Sequence, residues 1–333
     1  MKNSGLYLLA IEVTSRCNLR CAHCYGHFAR DGQDLPVAWA ENIASQAAEL
    51  GVRVVTISGG EPLLLGACLT NYITPFNLKG MRVYLTTNAI GIGHSIRREV
   101  FNGLTGVQVS IDGCEQTHDR IRGNGTFGEA VAGIKTLTKW GVQTSVMMSL
   151  HSENINDVET VLSICHQLGV RLSIERCSLP LNSSASPAPA SPESLLSQYR
   201  FAIRQGLHSY DPCFMAFRCI VDNITPSTDR PIQGGCTAGI AALAVTADLD
   251  ILACVRLRDI PLSNLRCESL LTVWKNHQLL AQLRDRSLLK GACGNCVFRS
   301  VCGGCRANAF LTNSDILGFD SGCPLLGCIP LPI

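Results

Sequence analysis

The hydrophobic residues of the chain form short apolar runs. The first run lies at residues 8–14, and each later run follows a glycine. The later runs lie at 54–58, 83–87, 109–112, 144–150 and 172–175, behind Gly51, Gly80, Gly106, Gly141 and Gly169. They alternate little, as do parallel strands that are covered on both faces. Because glycine suits the left-handed position just past a helix, each glycine with the apolar run behind it predicts a helix end followed by a strand.

Apolar residues between these runs recur at helical spacing. Thr126 and Glu129 form a capping box that predicts the start of a helix, with Val131, Ile134 and Leu137 on one face. A further helix before Gly169 has apolar residues at 158, 161, 162, 165 and 168. Six βα units by about residue 178 predict an α/β fold, a partial (β/α)6 TIM-type barrel short of the usual eight repeats.

The pattern changes after residue 178. Residues 178–192 are rich in Pro, Ser and Ala, which indicates a linker or loop, and a helix is predicted at 193–208. We therefore predict a partial barrel at 1–178, a linker and bridging helix at 179–235, and a small cysteine-rich domain at 236–333. Active sites of such barrels lie at the carboxyl ends of the strands.

Charge and hydropathy narrow the classes of partner. With 28 basic and 26 acidic residues the net charge is +2, without a long block of one sign, so we expect no nucleic-acid partner. No apolar run reaches the roughly 18 residues that span a bilayer, so no membrane association is expected. The N-terminal apolar run is short and ends near Glu12 without a cleavage site. It is typical of a strand and not of a signal peptide, and a cytoplasmic location is expected.

The eighteen cysteines change this picture. In a reducing compartment they favour metal ligation over disulfides. Cys68 and Cys165, the latter on the apolar face of a predicted helix, are interpreted as small buried hydrophobic residues. This interpretation does not fit the places where cysteines cluster.

The first cluster, Cys17, Cys21 and Cys24, directly follows the first strand. Offsets of four and three on one loop allow three thiolates to converge on one metal centre. A 4Fe–4S cluster has four corners, so three cysteines leave one iron open for a substrate or cofactor. Zinc, with His23 or His27 as the fourth ligand, is the alternative.

This spacing, after a first barrel strand and before the aromatic Tyr25, resembles the signature of the radical S-adenosylmethionine (SAM) superfamily. The resemblance implies that the three cysteines hold a 4Fe–4S cluster whose open iron binds the amino and carboxylate groups of SAM. The reduced cluster then cleaves SAM to methionine and a 5′-deoxyadenosyl radical. Tyr25 is expected to pack near the cluster and the adenine.

Further motifs fit the same family. Gly59, Gly60 and Glu61 end the second predicted strand and match the motif whose backbone and carboxylate meet the SAM amino group. Glycines permit that close approach. Their alternative interpretation is an ordinary glycine-rich turn.

Later strands add more candidates. Asn88 follows the third strand and is expected to help position SAM, and Ser110 and Asp112 in the fourth are expected to approach it. His118 belongs to the segment 118–123, which is expected to brace the loop after the fourth strand. Glu175, which ends the sixth strand, is expected to contact SAM or substrate, or to pair with Arg176 or another basic group.

A second cysteine array lies near the C-terminus, at Cys293, Cys296, Cys302, Cys305 and Cys323. A zinc ribbon separates its cysteine pairs by about 15–20 residues, whereas five residues lie between these pairs. Compact spacing with glycines favours iron–sulfur clusters. Upstream, Cys236 and Cys254 flank a predicted strand pair at 241–246 and 251–254.

Together these cysteines resemble the SPASM domain, which binds two auxiliary 4Fe–4S clusters. Position by position, one cluster takes Cys236, Cys254 and Cys305, and the other takes Cys293, Cys296, Cys302 and Cys323. The fourth ligand of the first cluster is Cys213, Cys219 or absent, and Cys328 is an alternative to Cys323.

Three positions depart from the family pattern. Leu249 stands where a glycine is usual, and Cys302 and Cys305 are separated by two residues where three are common. Val255 follows Cys254, where sulfatase-maturing relatives have an aspartate base, so formylglycine formation is not expected. The residue that acts on the substrate is unknown.

The resemblance implies hydrogen abstraction from a substrate, with auxiliary clusters that relay an electron or bind the substrate. We expect a ribosomally made peptide or peptide-derived cofactor, with reduced flavodoxin or ferredoxin as electron donor and possible use of a separate peptide carrier. The alternatives are a small non-peptide substrate (a tetrapyrrole, sugar or nucleoside derivative) and an iron–sulfur electron carrier or scaffold without radical chemistry.

Overall fold

The structure, a computed structural model, describes residues 5–26, 28–177, 187–224 and 234–326. Its strands are Leu8–Thr14 (β1), Val54–Gly59 (β2), Arg82–Thr87 (β3), Gly106–Ser110 (β4), Thr144–Leu150 (β5), Arg171–Arg176 (β6), His208–Ser209 (β7), Ala242–Val245 (β8), Asp250–Leu252 (β9) and Ser263–Asn264 (β10). They form one sheet in the order β10-β9-β8-β1-β2-β3-β4-β5-β6-β7.

The α-helices are Ala38–Glu49 (α1), Thr70–Leu78 (α2), Glu115–Arg122 (α3), Thr126–Lys139 (α4), Val158–Leu168 (α5), Pro192–Arg204 (α6), Pro212–Val221 (α7), Leu270–Asn276 (α8), Gln278–Arg284 (α9), Gly291–Gly294 (α10) and Arg306–Asn313 (α11). Short 3-10 segments lie at Pro62–Leu69, Arg98–Phe101, Ile155–Asp157 and Arg286–Leu288. Within the described residues, every helix is too short or too polar to cross a bilayer.

The predicted α/β partial barrel is confirmed. β1 to β7 pair in parallel in chain order, and helices follow the strands. Gly51, Gly80, Gly141 and Gly169 have left-handed φ values of +80°, +76°, +74° and +67°. The expectation for Gly106 is wrong, because Gly106 is itself the first residue of β4.

The capping box predicted at Thr126 is wrong. The residue before α4 is Gly125, with φ of +79°, and no side chain of that residue caps the helix. Instead Asp119 Oδ1 accepts a hydrogen bond from Phe127 N at 2.8 Å, and its Oδ2 accepts one from Gly125 N at 2.6 Å. A carboxylate from the preceding helix therefore satisfies the free amides at the start of α4.

Two other expectations need correction. The helix predicted at 193–208 ends at Arg204, because Gly206 is left-handed and His208 pairs with Ser173 to start β7. Cys68 is exposed, not buried, whereas Cys165 is fully buried as predicted. Of the predicted linker, residues 178–186 lie outside the described residues, as do His27 and Cys328.

The C-terminal strands extend the barrel sheet past β1. β8 pairs in parallel with β1 and antiparallel with β9, which confirms the predicted strand pair. Leu249, in the turn between them, is fully buried and has φ of +72°. This left-handed backbone explains why a glycine is usual at that position.

Candidate active site

The three N-terminal cysteines lie on the loop that leaves the carboxyl end of β1. Backbone hydrogen bonds order the loop: Cys17 N donates to Ala29 O at 2.9 Å, and Cys24 N donates to Cys21 O at 3.1 Å. The three thiols interact electrostatically with one another. Burial raises the pKa of Cys21 to about 11, so this thiol stays protonated until a metal binds it.

The glycines at the end of β2 pack directly against this loop. Gly60 N donates to Thr14 O at 2.8 Å. A Cβ atom at Gly60 would lie 2.0 Å from Arg16 O and 3.1 Å from the Cβ of Cys17, and one at Gly59 would lie 2.2 Å from Thr14 O. Only glycine therefore fits between β2 and the cysteine loop, which gives both residues a packing role at the predicted site.

Glu61 connects this turn to the end of β3. Its buried carboxylate accepts hydrogen bonds from Leu63 N at 3.0 Å, Thr87 Oγ1 at 2.6 Å and Asn88 N at 2.8 Å. Asn88 Nδ2 in turn donates to Asn18 Oδ1 at 2.9 Å, on the cysteine loop. The structure thus brings the motifs after β1, β2 and β3 together. Direct contact of Glu61 or Asn88 with SAM stays a prediction.

Asp112 lies just beyond β4, with its side chain fully buried. Its Oδ2 lies 2.5 Å from Arg122 Nε and 3.3 Å from His23 Nε2, and its Oδ1 accepts from Ser149 N at 3.0 Å. Although burial opposes ionisation, the Arg122 guanidinium holds the pKa of Asp112 well below its usual range. Ser110, the last residue of β4, is half-buried.

Arg122 belongs to the site, although the sequence motifs alone do not predict its role. Its Nη1 lies 3.9 Å from Cys21 Sγ, so one guanidinium contacts both Asp112 and a predicted cluster ligand. The sequence feature that could have indicated this role is the position of Arg122 four residues after His118, because residues four apart lie on the same face of a helix. His118 Nδ1 accepts a hydrogen bond from Asp112 N at 3.2 Å, which fits a bracing role.

Tyr25 is half-buried beside β1. Its hydroxyl lies 3.5 Å from Glu12 Oε1, and the same carboxylate receives two hydrogen bonds from Arg258 Nη1 at 2.6 and 2.8 Å. Burial raises the pKa of Glu12, and Arg258 opposes that shift. Arg258 comes from the C-terminal region, so the aromatic residue next to Cys24 is positioned by both halves of the chain.

Glu175 at the end of β6 pairs with Arg256, the second residue after Cys254. Arg256 Nη2 lies 2.8 Å from Glu175 Oε1. Of the expected partners, it is therefore another basic group and not Arg176. Arg176 instead pairs with Asp211 at 2.9 Å and with Asp320 at 2.7 Å.

The C-terminal cysteines fall into two groups. In the first, Cys254 and Cys305 are half-buried, and each interacts electrostatically with Cys236. Loss of hydration raises the pKa of both thiols. In the second, Cys323 interacts with Cys293 and Cys296. Both groups consist of cysteines from the two ligand sets that the resemblance implies, and their binding of clusters stays a prediction.

The structure also places the two candidate extra ligands. Cys213 Sγ lies 4.0 Å from Cys302 Sγ, beside the second group, although it was expected as a ligand of the first. Cys219 is half-buried and interacts with Asp222 and Arg218 on its own helix.

The donor chemistry of the predicted ligands fits iron–sulfur clusters. Their sulfurs accept backbone N–H hydrogen bonds: Cys17 from Leu19, Cys296 from Phe298 and Cys302 from Gly304, at 3.3–3.4 Å. Such amides stabilise thiolates and tune clusters. Within the described part of the chain, no three Cys, His, Asp or Glu side chains are placed to hold one metal ion. A 4Fe–4S cluster makes a different demand, because each thiolate binds a separate iron.

Comparison with known proteins identifies the family of the barrel part of the chain. The family model described as "Radical SAM superfamily" matches residues 11–165. An AdoMet-dependent heme synthase of Methanosarcina barkeri is 27% identical over 95% of this chain and 95% of its own length. The mycofactocin maturase MftC of Mycobacterium ulcerans is 27% identical over 95% of this chain and 87% of its own.

Solved structures show the same fold. SuiB of Streptococcus suis, in a crystal structure bound to S-adenosylmethionine, superimposes with a TM-score of 0.76 at 20% identity, over 96% of this chain and 77% of SuiB. The family match covers β1 to α5, which carry the cysteine loop, the glycine turn and Asp112. Residues 11–165 thus form a radical SAM domain, and the enzymes of this family bind a 4Fe–4S cluster together with SAM.

Proposed function

We propose that Cys17, Cys21 and Cys24 hold the catalytic 4Fe–4S cluster of a radical SAM enzyme that abstracts hydrogen from its substrate. The observation that carries this proposal is the packing of the cysteine loop on Gly60, with Arg122 3.9 Å from Cys21 Sγ. When bound, the reduced cluster supplies the electron that cleaves SAM to methionine and a 5′-deoxyadenosyl radical.

The chain's own residues form the surroundings of that cluster. We assign the SAM-facing surface to Tyr25, Gly59, Gly60, Glu61, Asn88, Ser110 and Asp112. Among these, Glu61 and Asp112 already accept three hydrogen bonds or ion pairs each. Their main role in the proposal is to fix the glycine turn and Arg122 in place.

We assign two auxiliary 4Fe–4S clusters to the C-terminal groups. The first would be held by Cys236, Cys254 and Cys305, and the second by Cys293, Cys296, Cys302 and Cys323. The support is the division of these thiols into two interacting groups. The proposal includes three parts of the chain: the partial barrel at 1–178, the linker and bridging helix at 179–235, and the cysteine-rich domain at 236–333.

The proposed substrate is a ribosomally made peptide or a peptide-derived cofactor. MftC is named as a maturase, and SuiB has been solved with its precursor peptide SuiA. Reduced flavodoxin or ferredoxin as electron donor, a separate peptide carrier and a cytoplasmic location belong to the same proposal.

A tetrapyrrole is the second candidate substrate. The observation that favours it is the similarity to AdoMet-dependent heme synthases of three organisms, each over 95% of this chain.

The test of the radical chemistry is anaerobic incubation of the reconstituted, reduced protein with SAM. We expect 5′-deoxyadenosine to form, and Cys21→Ala to abolish its formation while the auxiliary clusters stay bound. Absence of 5′-deoxyadenosine from the parent protein would leave an electron carrier or scaffold as the function. Iron near twelve atoms per chain supports both auxiliary clusters, and about four would remove them.

The substrate is tested by adding iron-coproporphyrin III or short peptides encoded beside this gene to the same reaction. A substrate should raise 5′-deoxyadenosine formation and change mass. A mass change of the tetrapyrrole alone would overturn the peptide proposal.

A further inference from the structure

A fifth thiol lies beside the second auxiliary group and has no place in its four-cysteine ligand set. Cys213, at the start of α7, is fully buried with its Sγ 4.0 Å from Cys302 Sγ, and its thiol hydrogen-bonds with Cys323. A 4Fe–4S cluster has four corners, and each corner iron takes one thiolate from the protein. The expected ligands already fill these corners.

Cys213 differs from those ligands in its partners. The sulfurs of Cys293, Cys296 and Cys302 accept backbone N–H groups at 3.3–3.4 Å. The sulfur of Cys213 contacts side chains: Arg176 Nη2 at 3.8 Å, Asp320 Oδ2 at 3.7 Å and the two cysteines.

Asp320 competes as an acceptor for the Cys213 proton, but its oxygens are already used. Oδ2 accepts from Arg176 Nη2 at 2.7 Å and from Cys305 N at 2.8 Å. Oδ1 accepts from Asn308 Nδ2 and from Gly322 N, both at 3.1 Å. Without a cluster, Cys302 Sγ donates to Cys213 Sγ at 4.0 Å, and Cys213 Sγ donates to Asp320 Oδ2 at 3.7 Å. A cysteine that binds iron is a thiolate without a proton, so a hydrogen bond between these two sulfurs in the cluster-bound protein needs Cys213 as its donor.

The position of Cys213 is fixed from both sides. Asp211 Oδ1 accepts a hydrogen bond from Cys213 N at 2.8 Å, and Asp211 Oδ2 is held by Arg176 Nε at 2.9 Å and by Tyr199 Oη at 2.5 Å. These contacts are buried. A donor that is held in place this way loses little entropy when its hydrogen bond forms.

We infer that Cys213 is not a cluster ligand but a neutral thiol that donates a hydrogen bond to the Cys302 sulfur of the second auxiliary cluster. This inference rests on the auxiliary clusters of the proposed function. A donor to a coordinating sulfur draws off negative charge and so favours the reduced cluster. Cys213 therefore raises the reduction potential of that cluster through a hydrogen bond from α7, which lies outside the cysteine-rich region 236–333.

The test compares Cys213→Ala, Cys213→Ser and Cys219→Ala in the full-length reconstituted protein. Cys219 lies on the same helix, away from the group, and serves as the matched control. The measurements are iron per chain and a potentiometric titration followed by electron paramagnetic resonance. We expect parent iron content in all three variants. In Cys213→Ala one auxiliary cluster should shift to a lower potential, and Cys213→Ser, which keeps a donor, should remain near the parent.

Two results would overturn the inference. A loss of about four irons from Cys213→Ala and Cys213→Ser would make Cys213 a ligand. Unchanged potentials in Cys213→Ala would show that its thiol donates nothing to the cluster. Formation of 5′-deoxyadenosine by the same preparations reports separately on the proposed function, because it depends on the N-terminal cluster.

Discussion

At the scale of single residues, Asp112 organises the site by its charge. Its carboxylate is fully buried between Arg122 and His23, and Arg122 also reaches Cys21. A buried carboxylate is tolerated only where partners compensate its lost hydration. The ion pair therefore fixes the guanidinium next to a predicted cluster ligand.

Arg122→Ala is expected to destabilise the protein strongly. It leaves the Asp112 charge buried without its main partner, which costs about 3–5 kcal/mol in comparable buried pairs. Arg120→Ala is the matched control on the same helix, since Arg120 and Glu153 are 58% and 42% exposed. Exposed pairs contribute about 0–1 kcal/mol. Anaerobic urea unfolding measures both, and equal losses in the two variants would contradict the assignment.

His118 predicts a pH dependence of stability. Burial lowers the pKa of His118 from 6.5 to about 4. Between these two pH values the imidazole is protonated in the unfolded chain and neutral in the folded chain. The contribution of His118 to stability is therefore complete above pH 6.5 and is lost as the pH falls towards 4.

Between pH 7 and pH 5 the unfolding free energy of the parent protein should fall. In His118→Gln this fall should be smaller by roughly 1–2 kcal/mol. His94→Gln, at an exposed position, should keep the parent profile. Urea unfolding at several pH values checks this, and identical slopes for His118→Gln and the parent would refute it.

At the scale of elements, the end of β2 and the loop after β1 fit together only because their contact lacks side chains. Gly59 and Gly60 bring the backbone of β2 against Thr14, Arg16 and Cys17. The glycine-rich turn that the sequence suggested is therefore also a packing surface for the cysteine loop.

Gly60→Ala is expected to displace that loop, since the new Cβ would lie 2.0 Å from Arg16 O. The N-terminal cluster should bind poorly, with loss of up to about four irons per chain and of 5′-deoxyadenosine formation. Gly128→Ala within α4 is the control, because nothing lies within 4 Å of its added methyl group. It should retain all iron and gain about 0.5–1 kcal/mol in stability. Full activity in Gly60→Ala would disprove this role.

At the scale of the whole molecule, three arginines connect the barrel to the C-terminal region. Arg258 pairs with Glu12 on β1, Arg256 pairs with Glu175 on β6, and Arg176 pairs with Asp320. Strand β8 adds backbone pairing at the edge of β1. The proposed auxiliary clusters are thereby held to the same sheet as the proposed SAM site.

Arg176→Met should weaken this connection, because Asp211 and Asp320 would both stay buried without their shared cation. We expect a loss of about 3–5 kcal/mol in unfolding free energy. Hydrogen exchange should also rise in residues 305–322, which pack around Asp320. Arg218→Met is the control, since its pair with Asp222 is exposed. Equal exchange in Arg176→Met and the parent would show that the pair does not hold the region.

Local features of the chain determined much of the fold. The apolar runs predicted β1 to β6, and four of the five glycines ahead of the later runs do end in left-handed backbone, because buried parallel strands and helix ends leave signals within a few residues. The Cys17–Cys21–Cys24 spacing and the Gly59–Gly60 turn were equally visible. The capping box at Thr126 failed, since a carboxylate of the neighbouring helix supplies the cap.

Only the tertiary structure decided which distant groups meet. Arg258 lies 246 positions from Glu12, and Arg176 lies 144 positions from Asp320. Such pairs leave no periodic signal, because charge complementarity acts through space and not along the chain. For the same reason the sequence could offer Cys213 only as a candidate ligand of the first auxiliary cluster. Its contact with Cys302 follows from the way α7 packs on the cysteine-rich region.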